Sequence, residues 1–111
     1  MPTRADYEST ASLFRNQARS YRDIAAFTPR GTAASFCNEG PATATIDAAV
    51  LRVLGHVRAA ADELDRAAAE CDRRAEVCAQ FRRAVDRYWL LPYEVRELTP
   101  YPARPASWAD T

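Results

Sequence analysis

Apolar residues recur every seven positions along the second half of the chain, from Ile46 to about Leu90. The first row of this repeat is Val50, Val57, Leu64, Cys71, Cys78 and Val85. A second row, offset from the first by three residues, contains Ile46, Val53, Ala60, Ala67, Arg74, Phe81 and Tyr88. A third row, offset by four residues, contains Leu54, Ala61, Ala68, Ala75, Arg82 and Trp89. A heptad repeat of this length is typical of a helix that packs against other helices. Pro92 is expected to end the helix or kink it just before.

A shorter amphipathic pattern precedes it and predicts a first helix over residues 3 to 27. Its apolar positions, again at helical spacing, are Tyr7, Ala11, Phe14, Ala18, Tyr21, Ile24 and Ala25. Residues 28 to 45, "TPRGTAASFCNEGPATAT", hold two of the seven prolines and two of the three glycines, so they read as a connection. Within it, "TAASF" is compatible with a single helical turn, and Thr45 is a candidate N-cap for the second helix.

These elements predict an all-α fold, an antiparallel helical hairpin of one short and one long heptad-patterned helix. At 1.5 Å per residue the two helices measure roughly 35 and 65 Å, so the first covers only about half of the second. Leaving the remaining apolar stripe in water would expose a long patch. We therefore expect residues 1–91 to pair with a second hairpin, a copy of itself or a different chain, into a four-helix bundle. Residues 92–111, with four prolines, are expected to be an extended, mobile tail.

The predicted partner-binding residues come from the heptad rows. They are Val57, Leu64, Cys71, Cys78, Phe81, Val85 and Tyr88.

Charge and composition exclude several functional classes. All fifteen basic residues are arginine, they are interspersed with fifteen acidic residues, and the formal net charge is zero. A nucleic-acid-binding protein normally presents a basic face, so we expect no nucleic-acid partner. No run of eighteen apolar residues and no signal-peptide pattern is visible. The expected location is the cytoplasm, with any export following a route without a cleaved signal.

The sequence gives no indication of catalysis, a metal site or a cofactor. Cys71 and Cys78 lie two helical turns apart, too far for a disulfide or for a shared zinc ion. They are interpreted as small core residues, with an interchain disulfide as the alternative; an intermolecular bond through Cys37 stays open. His56, the only histidine, is interpreted as an interface-edge residue rather than a general base.

The segment "YWLLPYEVRE" places large apolar side chains at the end of the second helix. One interpretation is a cap that folds over the end of the bundle; the other is a docking epitope. If the segment becomes helical, Tyr93 and Glu97 lie on one side, an aromatic anchor beside a charge.

A small helical hairpin followed by tyrosine-x-x-x-acid resembles the WXG-type (ESAT-like) proteins of type VII secretion. The run "LDRAAAECDRRAEVCAQFRRAVDRY" is also similar to second helices of actinobacterial relatives. The resemblance implies a four-helix dimer and an export signal, read by a secretion ATPase, at Tyr93 and Glu97. "FTPRGTAASF" stands where that family has its tryptophan-x-glycine turn, so the resemblance favours a divergent targeting partner that escorts a toxin.

Two other functions fit the same pattern. A coiled-coil subunit of a phage or other assembly would use the heptad rows and the proline-rich arm to hold its neighbours. An antitoxin would bind a protein toxin through the heptad rows.

Overall fold

The fold was analysed in a computed structural model, which describes residues 2–27 and 41–106. These residues form three α-helices and no strand, which confirms the all-α prediction for the described part of the chain. The helices are α1 (Arg4–Phe27), α2 (Pro41–Trp89) and α3 (Tyr93–Leu98). The predicted turn "TAASF" and Cys37 lie outside the described residues.

A reciprocal pair of hydrogen bonds starts α1 within one residue of the predicted position. The backbone N–H of Asp6 donates to Oγ1 of Thr3 at 3.2 Å, and the backbone N–H of Thr3 donates to Oδ2 of Asp6 at 2.8 Å. This capping box satisfies donors that the first turn of a helix leaves without partners. The Thr3 backbone hydrogen bond, and then its side-chain hydrogen bond, lower the pKa of the Asp6 carboxyl.

The start of α2 corrects the sequence prediction. The helix begins at Pro41, five residues before Ile46, and Thr45 lies inside it rather than at its N-cap. Proline suits the first position of a helix, because its fixed φ is helical and its missing N–H would have no partner there. Reading Pro41 only as a helix breaker caused the error.

The end of α2 agrees with the prediction to within one residue. The backbone N–H groups of Leu90 and Leu91 donate to the carbonyl oxygens of Arg87 and Tyr88, at 3.2 and 3.1 Å. These bonds reach back three residues, which tightens the last turn of the helix. Pro92 has no backbone N–H, so the helical hydrogen-bond pattern does not continue through it, as expected.

The tail after Pro92 is not extended throughout, which corrects a second expectation. Residues Tyr93–Leu98 form α3, and the backbone N–H of Arg96 donates to the carbonyl oxygen of Pro92 at 2.9 Å. Proline immediately before a helix is compatible with this start, because its own backbone amide is not required as a donor.

Contacts divide the chain into two units. The first combines Met1–Ala11 with Ala69–Thr111, and the second is Ser12–Ala68. Each unit therefore contains part of α1 and part of α2.

Four alanines and one leucine form the buried core of the second unit in its described part. They are Ala18, Ala25, Leu54, Ala61 and Ala68, all at most 2% exposed. Alanines allow two helix backbones to approach closely, near the short end of the usual 8–10 Å range. On the surface of this unit, the guanidinium of Arg22 in α1 contacts the carboxylates of Asp62 and Asp65 in α2, at 2.8 and 2.6 Å.

The core of the first unit contains one aromatic ring. Tyr7 of α1 is buried in a cluster with Ala75 and Cys78 of α2, and Cys71 packs against that cluster. The Glu70 carboxylate, and then the Tyr7 hydroxyl, raise the pKa of the Arg74 guanidinium. The packing of Tyr7 joins the first turns of α1 to the second half of α2.

The most buried heptad row of α2 is not the most hydrophobic one. The most buried row is Leu54, Ala61, Ala68 and Ala75, whereas in the row from Val50 to Val85 only Cys78 is buried. Alanine is small enough to let the helices of one chain approach, so the bulkier side chains lie beside the contact rather than within it.

Candidate partner-binding surfaces

The predicted partner-binding residues lie on the flank of α2, beside its buried alanine row. At about 100° per residue, the row that contains Val57 and Leu64 lies about 40° from the alanine row, and the row that contains Phe81 and Tyr88 lies about 100° from it. Val57, Leu64, Cys71, Phe81, Val85 and Tyr88 are half-buried, and Cys78 is buried. The flank is therefore apolar and incompletely covered within the described chain.

In the second unit this flank forms a groove, here called the pairing groove. Its volume is about 440 Å³. The residues that line it are Tyr21 and Ile24 of α1 and Val53, His56, Val57 and Ala60 of α2. Val53 is 59% exposed and Ile24 is 53% exposed, so the groove leaves branched aliphatic side chains open to a partner. His56 is an exposed residue of the groove lining.

The two cysteines of α2 are free thiols in different environments. Cys78 is buried under Tyr7, whereas Cys71 is half-buried and lines a shallow cavity with Asp6, Tyr7 and Thr10. Their side chains belong to the core and to its edge, in agreement with the interpretation as small packing residues.

The first unit also contains a groove with a cationic edge, here called the arginine-rimmed groove. Its volume is about 540 Å³. Pro2, Cys78, Ala79 and Phe81 supply apolar surface, and the charged lining residues are Arg4, Arg82, Arg83 and Arg104. Cys78 and Arg82, like Ala79 and Arg83, are four residues apart in α2, so each arginine lies one turn beyond an apolar lining residue.

Aromatic rings pack where the tail meets the end of α2, in what is here called the aromatic cluster. The ring of Tyr88 contacts those of Trp89 and Tyr101 edge-on, with centroids 5.5 and 5.0 Å away. The guanidinium of Arg96 lies over the Trp89 ring at 4.9 Å and near the Tyr93 ring at 6.0 Å. Its Nε atom is buried and has no hydrogen-bond partner among the described residues, so contact with the ring faces replaces hydration there.

Tyr93 and Glu97 lie together, as expected if the segment became helical. Both belong to α3, and the Glu97 carboxylate near the Tyr93 hydroxyl raises the pKa of the tyrosine. Tyr93 nevertheless remains largely exposed. The pair thus presents an aromatic ring and a carboxylate side by side at the surface.

The described residues contain no group of three or more histidines, cysteines, aspartates or glutamates positioned to hold a metal ion. Across residues 2–27 and 41–106, no helix combines the length and the apolar character needed to cross a bilayer.

Sequence reasoning missed the arginine-rimmed groove and the role of Arg96. The four rim arginines come from the first turn of α1, from α2 and from the segment after α3, so no local motif joins them. Arg96 stands one turn from Pro92 and three residues from Tyr93. An arginine at i+3 from a tyrosine was a usable signal for ring contact, but only once residues 93–98 are known to be helical.

Comparison with known proteins yields no relative: no protein-family model matches the chain, and no curated protein or solved structure matches it.

Proposed function

We propose that this chain is a non-enzymatic pairing module of a type VII-like secretion system. In this proposal α1 and α2 form an antiparallel hairpin, and the apolar flank of α2 pairs with a second hairpin to complete a four-helix bundle. The partner is a second copy or a different helical hairpin. The module then acts as a targeting partner for a secreted toxin, with Tyr93 and Glu97 as the contact with the secretion ATPase.

The pairing groove is the observation that carries this proposal. Tyr21 and Ile24 from α1 and Val53 and Val57 from α2 contribute to one apolar surface that the described chain covers only in part. A helix from a partner would bury these side chains in the way that coiled-coil rows are buried. The half-buried Leu64, on the same row as Val57, continues this apolar face toward the next turns of α2.

Two matched substitutions test the pairing. Val53→Glu places a charge in the pairing groove, and Leu51→Glu makes a similar change two residues earlier. The exposures of these side chains are nearly equal, 59% and 61%, but two residues turn the helix by about 200°, so Leu51 lies on a different face. Sedimentation equilibrium of the purified chain, alone and with the candidate partner encoded beside it, measures assembly.

We expect Val53→Glu to weaken assembly at least about tenfold, because a carboxylate would be buried against apolar side chains without a partner. Leu51→Glu should assemble like the unmodified chain. Equal effects of both substitutions would reject the pairing groove, as would a chain that stays monomeric with and without that partner.

The export role is tested separately by cell fractionation in an actinobacterial host with a type VII system. Tyr93→Ala removes both the ring and the hydroxyl near Glu97, and Tyr93→Phe removes only the hydroxyl. We expect secretion of the chain or of its partner to be lost with Tyr93→Ala and largely kept with Tyr93→Phe. Secretion unchanged by Tyr93→Ala, or absent from the start, would reject this role.

A structural subunit of a larger assembly is the second candidate. Leu90 and Leu98, at 84% and 88% exposed, favour it, because they offer apolar surface outside the pairing groove. Light scattering coupled to size-exclusion chromatography separates the two functions: a dimer supports the pairing module, and a large ring or lattice supports the structural subunit.

A further inference from the structure

The arginine-rimmed groove concentrates one sign of charge in a unit that is otherwise balanced. The described part of the first unit has one arginine and two acidic residues in 2–11, and seven arginines and six acidic residues in 69–106, hence eight of each. Four of those arginines line the groove, and none of the eight acidic residues does. The rim is therefore cationic although the unit as a whole is neutral.

Three of the rim arginines each contact one carboxylate and retain further donors. Arg4 contacts Glu8 through Nε at 2.8 Å, Arg82 contacts Asp86 through Nε at 3.3 Å, and Arg83 contacts Glu76 through Nη2 at 3.0 Å. A guanidinium has five N–H donors, so one such contact does not saturate it. These pairs are largely exposed, and exposed ion pairs contribute little stability, so a carboxylate brought by a partner can compete with them.

The surface between these arginines is apolar. Cys78 and Ala79 are buried, Phe81 is half-buried, and Pro2 completes the lining. A ligand for this groove therefore combines an apolar side chain, which contacts Phe81, with acidic groups that reach the surrounding guanidiniums. Bidentate pairing with carboxylates is the geometry that arginine favours.

We propose that the arginine-rimmed groove binds an acidic amphipathic helical segment of the partner protein. The partner inserts an apolar side chain against Phe81 and presents aspartate or glutamate to Arg82 and Arg83. This inference rests on the proposed function, because it requires a protein partner. It adds that the partner is acidic where it contacts the arginine-rimmed groove, a surface distinct from the pairing groove. A free acidic amphiphile and an anionic membrane are the competing occupants.

Two labelled peptides of about four helical turns test the inference. Both carry leucine at every third or fourth position; one has glutamate at the remaining positions and the other has lysine. Fluorescence anisotropy measures their binding to the full chain. The acidic peptide is expected to bind, with an affinity that falls as salt rises, and the basic peptide is expected not to bind.

Substitution of the rim locates the binding. The Arg82→Gln/Arg83→Gln chain should bind the acidic peptide at least about tenfold more weakly, because two charge-assisted contacts are lost. Arg87→Gln, one turn further along α2 and outside the groove lining, is the matched control and should change affinity less than about twofold. Phe81→Ala should also weaken binding while the salt dependence remains. Circular dichroism confirms that each variant keeps its helices.

Several outcomes would overturn the inference. The acidic and basic peptides could bind equally well, or the acidic peptide could fail to bind. Arg87→Gln could also lower the affinity for the acidic peptide as much as Arg82→Gln/Arg83→Gln does. Binding of dodecanoate or of phosphatidylglycerol vesicles in place of the acidic peptide, lost in the Arg82→Gln/Arg83→Gln chain, would assign the groove to an amphiphile or a membrane instead. None of these results alters the Val53→Glu test, so failure here is distinguishable from failure of the pairing proposal.

Discussion

The hydroxyl of Tyr88, in the last turns of α2, donates a hydrogen bond to the carbonyl oxygen of Arg96 in α3, at 3.0 Å. The Tyr88 ring also contacts the Tyr101 ring, with centroids 5.0 Å apart. One side chain thus holds two points of the segment that follows Pro92. The segment is therefore attached to the end of α2 through Tyr88, while Trp89, Leu90 and Tyr93 stay exposed.

Tyr88→Phe should loosen this attachment without removing the ring contact. We expect the attachment of the segment after Pro92 to α2 to weaken by about 1 kcal/mol, the usual contribution of one hydrogen bond. Hydrogen exchange of the backbone amides of residues 93–99 measures it. Tyr93→Phe, which removes a tyrosine hydroxyl within α3 only, is the comparison. Unchanged exchange in Tyr88→Phe would mean that ring packing alone holds the tail.

Gly55→Ala should stabilise the isolated chain. No heavy atom of the described residues, other than its neighbours and the backbone of its own helix, lies within 4 Å of the position that an added Cβ would occupy. Alanine is better than glycine within a helix by about 1 kcal/mol. Thermal unfolding should show a melting temperature higher by roughly 4 °C for a domain of this size. No neighbouring helix approaches Gly55 closely within the described chain, so a lower melting temperature would point to a contact with another molecule.

Ala61→Leu should be destabilising by about 1–3 kcal/mol, because Ala61 is fully buried in the core of the second unit and has no room for a larger side chain. Ala59→Leu, two residues earlier at an exposed position of the same helix, is the control. Its effect on the free energy of unfolding should be within about 0.5 kcal/mol. Urea titration measures both. Similar stabilities for the two variants would contradict the tight alanine contact.

Glu70 should contribute a pH dependence to stability. Hydrogen bonds from Arg73 and then from Arg74 lower its pKa from 4.5 to about 2. The pKa of Glu70 is lower in the folded chain than in the unfolded chain. Its ionised carboxylate therefore stabilises the fold fully above about pH 4.5, and this stabilisation is lost as the pH falls from 4.5 toward 2. Glu70→Gln should therefore flatten the fall in melting temperature over that interval. An identical pH profile in the variant would show that the ion pairs do not form in solution.

The helices could be predicted from the sequence because their signals are local. The heptad spacing located α2 from Ile46 onward, and Pro92 located its end. The early start at Pro41 and the short helix α3 were missed, because proline was read as a breaker when it also suits the position at or before a helix start. Which heptad row is buried within the chain could not be predicted, because it depends on how closely two helices approach, which hydrophobicity does not report.

The candidate surfaces were partly predictable. Val57, Leu64 and Phe81 were identified from heptad position, since periodicity places residues on a face. The contribution of Tyr21 and Ile24 to the same groove required knowledge of which side of α1 contacts α2. The Tyr93–Glu97 contact followed from helical spacing once α3 was known. The arginine rim could not be predicted, because it combines segments distant in the sequence.

The alanine core of the second unit has a consequence for the cellular level of the protein. Alanine removes little apolar area from water, so the isolated chain gains only a small free energy from bringing its own helices together. A partner that covers the larger flanking side chains would then supply a substantial share of the folding free energy by mass action. We expect the abundance of this chain to follow that of its partner, with copies made in excess degraded first.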